Sequence, residues 1–485
     1  MFEKFGLLIG GEWRGAASGE TLGVESPVSE TEIGRIPAAG GKDIEAALDT
    51  CASAAPEWAR VSAWERAAIL RRTADNLRDN VEEYARIMST ETGKPLAEAR
   101  AEVNASADQF EWYGEEAKRI YGQTIPGRNP DERLSVTYQP VGPCLSLSAW
   151  NFPMLLPSRK IAAALAAGNP VIARPASEAP GSCFTIGEAL MKAGLPPNAL
   201  SILTGRSTPM VSELIASPVI KKVSLTGSVP VGREILRQAA EGIKKVTMEL
   251  GGHAPVIVFP DSDPVAAAEK LAGTKFRNCG QVCISPTRFY VHREIYAPFA
   301  QTFAEVARNL KVGDGLDESV TTGPMIRARG LENALALIED AKAQGAELLT
   351  GGGRSAEHNT GHFLEPTVLS NVPDTARIMS EEPFAPVAPL TTFDTYDDVI
   401  ARANSTPFGL ASYVFTRDSD LAARTSEALE TGMVGINETL LATAEAPFGG
   451  IKESGFGREG GSLGILDYLT PKYTRHKLLK GALDV

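Results

Sequence analysis

Two cysteines stand four residues apart in the stretch KFRNCGQVCISPTRF at 275–289. Their thiols could bind a metal, form a disulfide, fill the core or act as a nucleophile. The chain has five cysteines, an odd number scattered along it, unlike the paired framework of an extracellular disulfide-rich protein. Cys279 and Cys283 do not form a C-x-x-C pair, and none of the five histidines lies at ligand spacing from them. A zinc site is therefore disfavoured, and we predict no metal. Two interpretations of the pair remain: buried filler, or a nucleophile.

Two other polar side chains are of types that assist a nucleophile. The stretch MELGGHAP places Glu249 at the end of a predicted strand, where burial would raise its pKa and suit a general base acting on water. The alternative for Glu249 is a solvated carboxylate at a strand end. In SAWNFP, the carboxamide of Asn151 can donate to an oxyanion, or it can simply form a turn ahead of the helix.

A glycine-bearing turn between a strand and a helix indicates a possible phosphate site. In SLTGSVPVGREIL the turn presents free N–H groups at the positive end of a helix, which suits a pyrophosphate. The stretch is neither G-x-G-x-x-G nor a P-loop, so Gly227 and Gly232 have a second interpretation as turn residues only.

Strands and helices alternate along most of the chain that must position these residues. A helical pattern runs from Gly41 to about Ile120, and RLSVTYQPVG at 133–142 alternates like a strand. Between Pro157 and Met248, and again from APVIVFP to about Ile451, strands alternate with helices. This pattern predicts an α/β protein with parallel sheets, arranged as two layered units with a cleft between them. The tail LTPKYTRHKLLKGALDV is predicted to be a strand with frayed ends.

Length and charge bound the class of protein. A chain of 485 residues predicts roughly three domains. The net charge of −12 argues against a nucleic-acid or anionic-membrane partner. The N-terminus lacks the pattern of a signal peptide, and no apolar run reaches the ~18 residues of a membrane span. We therefore expect a soluble cytoplasmic protein.

Seven motifs, taken together, make this sequence similar to the aldehyde dehydrogenase superfamily. They are, in order, SAWNFP, RPASE, LTGSVPVG, ELGG, NCGQVC, EEPFAPV and PFGGIKESGFGRE. The resemblance runs from GGEW near the start to YLTPKYTRHK near the end, and it is strongest to the succinate-semialdehyde dehydrogenase branch. It implies a Rossmann-type NAD(P)-binding domain, an α/β catalytic domain that carries the cysteine, and a small β oligomerisation arm. The implied bounds are 1–122 and 143–250, with 452–468 returning, for the cofactor domain; 251–451 for the catalytic domain; and 123–142 with 469–485 for the arm.

The resemblance assigns chemistry to the three candidate residues. It implies that Cys283, not Cys279, attacks the aldehyde, because a thiolate gives a thiohemiacetal whose hydride can be passed on. Free cysteine titrates near ~8.5, so we expect local polar donors to lower the pKa of Cys283. Asn151 and the Cys283 N–H are implied to hold the oxyanion, and Glu249 to activate the water that hydrolyses the thioester. Relatives that transfer the acyl group to coenzyme A generally lack this glutamate, so a free acid is the predicted product.

The resemblance also implies a dinucleotide, NAD or NADP. Arg174 stands where the family usually has lysine, and Ser177 where strongly NAD-preferring members have glutamate, so a 2′-phosphate is not repelled and both cofactors are expected. Arg206 is a second candidate for attracting that phosphate, and Glu178 would oppose it. Ala385 replaces a usual glycine, which predicts reduced backbone freedom there. The implied cofactor contacts are Trp150, Arg174, Ser177, Gly227, Ser228, Glu382 and Phe384.

The substrate prediction depends on two arginines. By resemblance, Arg159 and Arg277 bind a distal carboxylate, and Thr443 supplies a hydroxyl beside it. The predicted substrate is a small acidic aldehyde such as succinic semialdehyde, although a sulfonate or phosphonate aldehyde would suit the same arginines. The rival hypotheses are an enzyme for uncharged aliphatic or aromatic aldehydes and a non-catalytic dinucleotide-binding protein. The arm implies a homodimer or homotetramer, and Ser285 excludes the redox-switch disulfide of some branch members.

Overall fold

The structure is a computed structural model that describes residues 2–479. The described chain begins with two short strand pairs and four helices. Helix α2 has a capping box, in which the Ser62 hydroxyl accepts from the Glu65 N–H and the Glu65 carboxylate accepts from the Ser62 N–H. Helix α4 buries Ala99, Val103 and Ala107 at helical spacing. The elements are β1 (Leu7–Ile9), β2 (Glu12–Arg14), β3 (Thr21–Glu25), β4 (Glu32–Pro37), α1 (Gly41–Trp58), α2 (Ala63–Asp79), α3 (Val81–Thr92) and α4 (Leu96–Ala117).

An eight-stranded sheet forms the first large unit, with the order β2-β1-β9-β8-β7-β10-β11-β21. Its five central strands are parallel, and the chain reverses its direction of winding between β7 and β10. In such sheets a ligand crevice forms at the carboxyl ends of the strands, at this switch point. The elements are β5 (Gln123–Pro126), β6 (Glu132–Pro140), β7 (Cys144–Leu147), α5 (Leu155–Ala166), β8 (Val171–Arg174), α6 (Gly181–Lys192), β9 (Leu200–Ile202), α7 (Ser207–Ala216), β10 (Lys222–Thr226), α8 (Val229–Glu241) and β11 (Lys245–Glu249).

A seven-stranded sheet forms the second unit, with the order β14-β15-β16-β13-β12-β18-β19. All its neighbouring strands are parallel except β14 and β15. The elements are β12 (Ala254–Val258), α9 (Pro264–Phe276), β13 (Pro286–His292), α10 (Tyr296–Arg308), α11 (Ala328–Ala343), β14 (Glu347–Thr350), β15 (Thr367–Ser370), β16 (Val387–Phe393), α12 (Tyr396–Ala403), β17 (Phe408–Gly409), β18 (Ala411–Phe415), α13 (Ser419–Ala428) and β19 (Met433–Ile436).

The last elements of the described chain return to the first unit and then to a third sheet. They are β20 (Ile451–Lys452), β21 (Gly455–Phe456), α14 (Gly461–Leu466) and β22 (Leu469–Lys477). Strand β21 pairs with β11, and β22 pairs with β6 along nine residues in a three-stranded sheet with β5. We propose that these three sheets mark the cofactor domain, the catalytic domain and the arm at the predicted bounds. Residues 1 and 480–485 of those bounds lie outside the described residues.

The α/β architecture and the parallel sheets predicted from the sequence are confirmed. Within residues 2–479 we find no helix that combines the length and the apolar character needed to cross a membrane.

A buried ion pair fixes the segment that follows β7. Lys94 and Glu102 are paired with each side chain 1% exposed. The Glu102 carboxylate also accepts from the backbone N–H groups of Met154 and Leu155, at 3.0 and 3.1 Å, which satisfies donors at the start of α5. The Lys94 ammonium donates to the backbone oxygen of Asn151 at 3.0 Å. Helix α4 therefore holds the segment that carries Asn151.

We predict that Lys94→Met strongly destabilises the fold, because it leaves the Glu102 carboxylate buried without a cation. The expected loss is about 3–5 kcal/mol in the free energy of unfolding, measured by urea titration with far-UV circular dichroism. The control is Arg293→Met, whose ion pair with Asp394 is exposed and should be worth at most about 1 kcal/mol. Equal losses in the two variants would contradict the importance of this pair.

Candidate active site

The predicted site residues come from opposite edges of the two large sheets. Asn151 follows β7, Ser228 follows β10, and Glu249 ends β11, so these residues lie at the carboxyl edge of the first sheet. Cys283 precedes β13 and Phe384 precedes β16, at the amino edge of the second sheet. The two edges face one another because the link from β11 to β12 is only four residues long.

A cavity of about 300 Å³ lies between these edges. It falls in the size range of ligand pockets, roughly 300–1,000 Å³. Eight of the residues predicted from the sequence line this cavity: Trp150, Asn151, Gly227, Ser228, Glu249, Cys283, Glu382 and Phe384.

The Cys283 thiol is half-buried in this cavity, on a tight loop that begins with a 3-10 turn. The loop depends on two glycines. Gly280 has a φ of +68°, and a Cβ there would lie 2.2 Å from the backbone oxygen of Ala385. A Cβ at Gly252 would lie 2.5 Å from the backbone oxygen of Cys283. The glycines of NCGQVC and ELGG therefore allow close backbone approach around the thiol.

Burial raises the pKa of Cys283 to about 12, and the carboxylates of Glu382 and Glu249 add to this shift. The positive charge of Arg159 acts in the opposite direction. The backbone N–H of Cys283 is a local donor that also lowers the pKa, but burial outweighs it, so the net shift is opposite to the expected one. Two carboxylates and a low-polarity environment favour the protonated thiol.

The Glu249 carboxyl group is buried, and neither of its oxygens has a hydrogen-bond partner. Burial raises its pKa well above the usual value, and the neighbouring charge of Glu459 adds to the rise. The positive charges of Lys160 and Arg159 partly oppose it. A buried carboxylate without a partner is costly, and such groups are concentrated at functional sites.

Asn151 is buried and firmly held. Its side-chain nitrogen donates to the backbone oxygen of Gln281 at 3.1 Å, while its backbone oxygen accepts from the side chains of Lys94 and Asn278, at 3.0 and 2.9 Å. A carboxamide nitrogen carries two hydrogens, so one remains available to a ligand in the cavity.

A second cavity, of about 490 Å³, is lined in part by the same residues, including Trp150, Gly227 and Ser228. Ser228 is the N-cap of α8, and its side chain makes no capping hydrogen bond, which leaves the N–H groups of Val229 and Val231 for a ligand; Pro230 between them has none. Arg174 and Ser177 lie at the far end, where the Arg174 Nε has no partner. The pair of cavities thus fits an elongated ligand with a phosphate group at its middle.

The EEPFAPV segment closes one side of the first cavity. The Phe384 and Trp150 rings make an edge-to-face contact with centroids 5.6 Å apart. Glu382 accepts from the Gly252 N–H at 3.2 Å, and burial raises its pKa to about 8. The unusual backbone conformation belongs to Phe384, with φ +41°, and not to Ala385. The alanine that replaces the usual glycine is therefore not strained.

The three predicted substrate residues do not line one cavity. Arg159 is 2% exposed and lies over the Phe448 ring at 4.3 Å, and its Nε and Nη2 have no partner. Arg277 is half-buried over the Phe152 ring at 5.1 Å. Thr443 instead lines a separate cavity of about 520 Å³ beside α4.

Two further predictions concern the other cysteine and a second arginine. Cys279 is buried in a different core cluster from that of Cys283, and burial raises its pKa. The Arg206 guanidinium pairs with Glu20 at 2.9 Å and does not line the cavity that holds Arg174. In the part of the chain from 2 to 479, no cluster of His, Cys, Asp or Glu could hold a metal ion.

The sequence did not reveal the charges that surround Glu249. Lys160 and Glu459 form a buried ion pair at 2.7 Å, yet they are 299 positions apart. The only available signal was two charged residues within otherwise apolar or glycine-rich stretches, IAAALAAG after Lys160 and GGSLG after Glu459.

The chain is similar to known proteins along most of its length. The profile of the aldehyde dehydrogenase family matches residues 13–474. The chain is 45% identical over 465 residues to a glutarate-semialdehyde dehydrogenase of Pseudomonas putida, covering 96% of each chain. It is 43% identical over 466 residues to a succinate-semialdehyde dehydrogenase (NADP+) of Escherichia coli, again covering 96% of each. A solved succinate-semialdehyde dehydrogenase from Burkholderia pseudomallei superposes with a TM-score of 0.96 at 41% identity, over 98% of each chain.

We predict that alkylation of Cys283 by iodoacetamide is slow at pH 7 and accelerates about tenfold per pH unit up to pH 9, because the thiolate fraction is small below a high pKa. Arg159→Met should slow the reaction at every pH, since it removes a charge that favours the thiolate. Arg277→Met is the matched control and should leave the rate unchanged. Mass spectrometry of the Cys283 peptide gives the rate, and a plateau near pH 8 would contradict the raised pKa.

Proposed function

Because this chain belongs to the aldehyde dehydrogenase family, we propose that its site oxidises a small acidic aldehyde to the free carboxylic acid. The enzyme is an NAD(P)-dependent oxidoreductase, and it is similar to semialdehyde dehydrogenases. One observation carries the proposal: a thiol, an unpartnered carboxylate and a free amide hydrogen line a single cavity.

Cys283 acts as the nucleophile. Its thiol first loses a proton to water that enters the cleft, and Arg159 favours the resulting thiolate. The sulfur then forms a bond to the aldehyde carbon, and the carbonyl oxygen takes up the negative charge. The free amide hydrogen of Asn151 stabilises that oxygen, an interaction typically worth about 3–4 kcal/mol. The firm attachment of Asn151 to Lys94 and Asn278 means that little reorganisation is needed.

The residues of the two contiguous cavities fit a nicotinamide dinucleotide, which when bound accepts a hydride from the substrate carbon. Trp150, Glu382 and Phe384 would hold its nicotinamide end. The start of α8, at Gly227 and Ser228, would hold the pyrophosphate. Arg174 and Ser177 would hold the adenosine end.

Glu249 activates water in the last step. Its carboxylate takes a proton from water, and the resulting hydroxide attacks the thioester carbon. The bond to the Cys283 sulfur then breaks, which releases the acid and returns the sulfur as a thiolate. A general base works best when its pKa lies near the operating pH, and the raised pKa of Glu249 moves it in that direction. Since the base must be ionised, hydrolysis slows as the pH falls through that raised pKa.

The substrate class follows from Arg159 and Arg277. A buried guanidinium with two unsatisfied nitrogens, as in Arg159, is costly until an anion is bound. A carboxylate at the far end of the aldehyde would accept from it, and the half-buried Arg277 offers a second cation. The relatives named for glutarate semialdehyde and succinate semialdehyde support this class.

The arm is proposed to join subunits into a homodimer or homotetramer. Along β22 every residue after Leu469 is exposed, including Tyr473 at 57%. An exposed sheet with an apolar side chain is the kind of surface that a second copy of the chain covers.

We predict that Glu249→Gln separates the two halves of the reaction. Hydride transfer should continue, giving a burst of about one reduced dinucleotide per site, while steady turnover falls at least about a hundredfold because the thioester persists. Stopped-flow absorbance at 340 nm would measure both phases. Cys283→Ala should give neither phase. Steady turnover without a burst in Glu249→Gln would contradict the role assigned to this carboxylate.

The arginine assignment is tested by comparing charged and uncharged aldehydes. Arg277→Met and Arg159→Met should each raise the KM for succinic semialdehyde at least about tenfold, through loss of a charge-assisted hydrogen bond. The KM for propanal should stay within about twofold in the Arg277→Met variant. An unchanged KM for succinic semialdehyde in both variants would make the arginines structural and favour an uncharged aldehyde.

A further inference from the structure

An ion pair joins the two large units at the far end of the second cavity. Arg327 is the N-cap of α11, in the unit built on the seven-stranded sheet. Its guanidinium contacts the carboxylate of Glu178, in the loop after β8 of the other unit. The Arg327 side chain is 63% exposed, and both residues line the cavity of about 490 Å³.

A second arginine shares this corner. The Arg174 Nη2 donates to the Ser177 hydroxyl at 3.1 Å and also contacts the Ser207 hydroxyl, while its Nε has no partner. Burial lowers the pKa of Arg174; the negative charge of Glu178 counters that shift, and the positive charge of Arg327 adds to it. The three charged groups are therefore close enough to act on one another.

This arrangement resembles an anion site that already holds an internal anion. Two guanidinium groups flank one carboxylate, which leaves positive charge in excess. The Arg327 side chain is open to solvent while that of Glu178 is only 17% exposed, so a phosphate in the cavity can reach Arg327 and compete with Glu178 for it. A phosphate monoester carries about −1.5 to −2 charge and three acceptor oxygens, so it matches two arginines better than a carboxylate does.

We propose that Arg327 is a specificity-determining residue for NADP, reaching from the opposite unit to complete a subsite for the ribose phosphate with Arg174. Glu178 occupies that subsite when the dinucleotide lacks the phosphate, and it moves aside when the phosphate is present. The inference rests on the proposed function only in requiring that the chain binds a nicotinamide dinucleotide.

The test measures binding rather than turnover. Dissociation constants for NADPH and NADH would be determined by isothermal titration calorimetry without aldehyde, at fixed salt. Arg327→Ala should raise the constant for NADPH about tenfold, since it removes a charge-assisted contact and also frees Glu178 to repel the phosphate. The constant for NADH should change less than about twofold, because NADH makes no phosphate contact there.

Two further variants separate the contributions. Glu178→Gln should tighten NADPH severalfold, because Arg327 loses its competing partner and the negative charge near Arg174 is removed. Adding Arg327→Ala to Glu178→Gln isolates the direct contact of Arg327, and NADPH binding should weaken again. Arg206→Ala is the matched control, because this exposed arginine pairs with Glu20 outside the cavity and should leave both constants unchanged.

Three outcomes would overturn the inference and leave the proposed function in place. An unchanged NADPH constant in Arg327→Ala would show that this arginine makes no contact with the phosphate. Equal weakening of NADPH and NADH would assign Arg327 to general closure of the cleft. Weaker NADH binding in Glu178→Gln, without tighter NADPH, would mean that Glu178 binds the ribose hydroxyls. Failure of the unaltered enzyme to bind either dinucleotide would instead refute the proposed function, and the inference with it.

Discussion

The site depends on one constraint: charged groups in the cleft between the two large sheets are withdrawn from water. Glu249 has two unpartnered oxygens, Arg159 has two unpartnered nitrogens, and the thiol of Cys283 lies between such charges. The unpartnered carboxylate and the unpartnered guanidinium are each costly to bury in the resting protein. An anionic substrate lowers that cost for the arginine, and a proton taken from water lowers it for the carboxylate. The positive charge of Lys160, which pairs with Glu459, partly offsets the cost of the buried Glu249 carboxylate.

Strand order brings these groups together. The first sheet presents the carboxyl ends of its parallel strands to the cleft, at the point where the winding reverses, and the second sheet presents its amino ends. Loops at the first edge supply the oxyanion donor and the helix start, whereas loops at the second supply Cys283 and Phe384. The four-residue link after β11 keeps the two edges close, which is why Gly252 in this link lies against the backbone of Cys283.

The sequence predicts the parts of this arrangement that are local. Alternation of strands and helices gives the sheets, and the motifs around Cys283, Glu249 and Asn151 lead to residues that line one cavity. Contacts between distant segments were not predictable, because nothing near Glu178 indicates that Arg327 lies beside it. The raised pKa of Cys283 was also missed, since burial and neighbouring carboxylates depend on the folded cleft.

The most direct test of the central claim is the catalytic efficiency with an acidic aldehyde compared with uncharged ones. Initial rates of NADPH and NADH formation would be measured with succinic semialdehyde, propanal and benzaldehyde, at several concentrations of each. The account predicts a kcat/KM for succinic semialdehyde at least about a hundredfold above the other two, equivalent to about 2.7 kcal/mol of recognition. Comparable efficiency with propanal or benzaldehyde would contradict it and would leave only the family assignment.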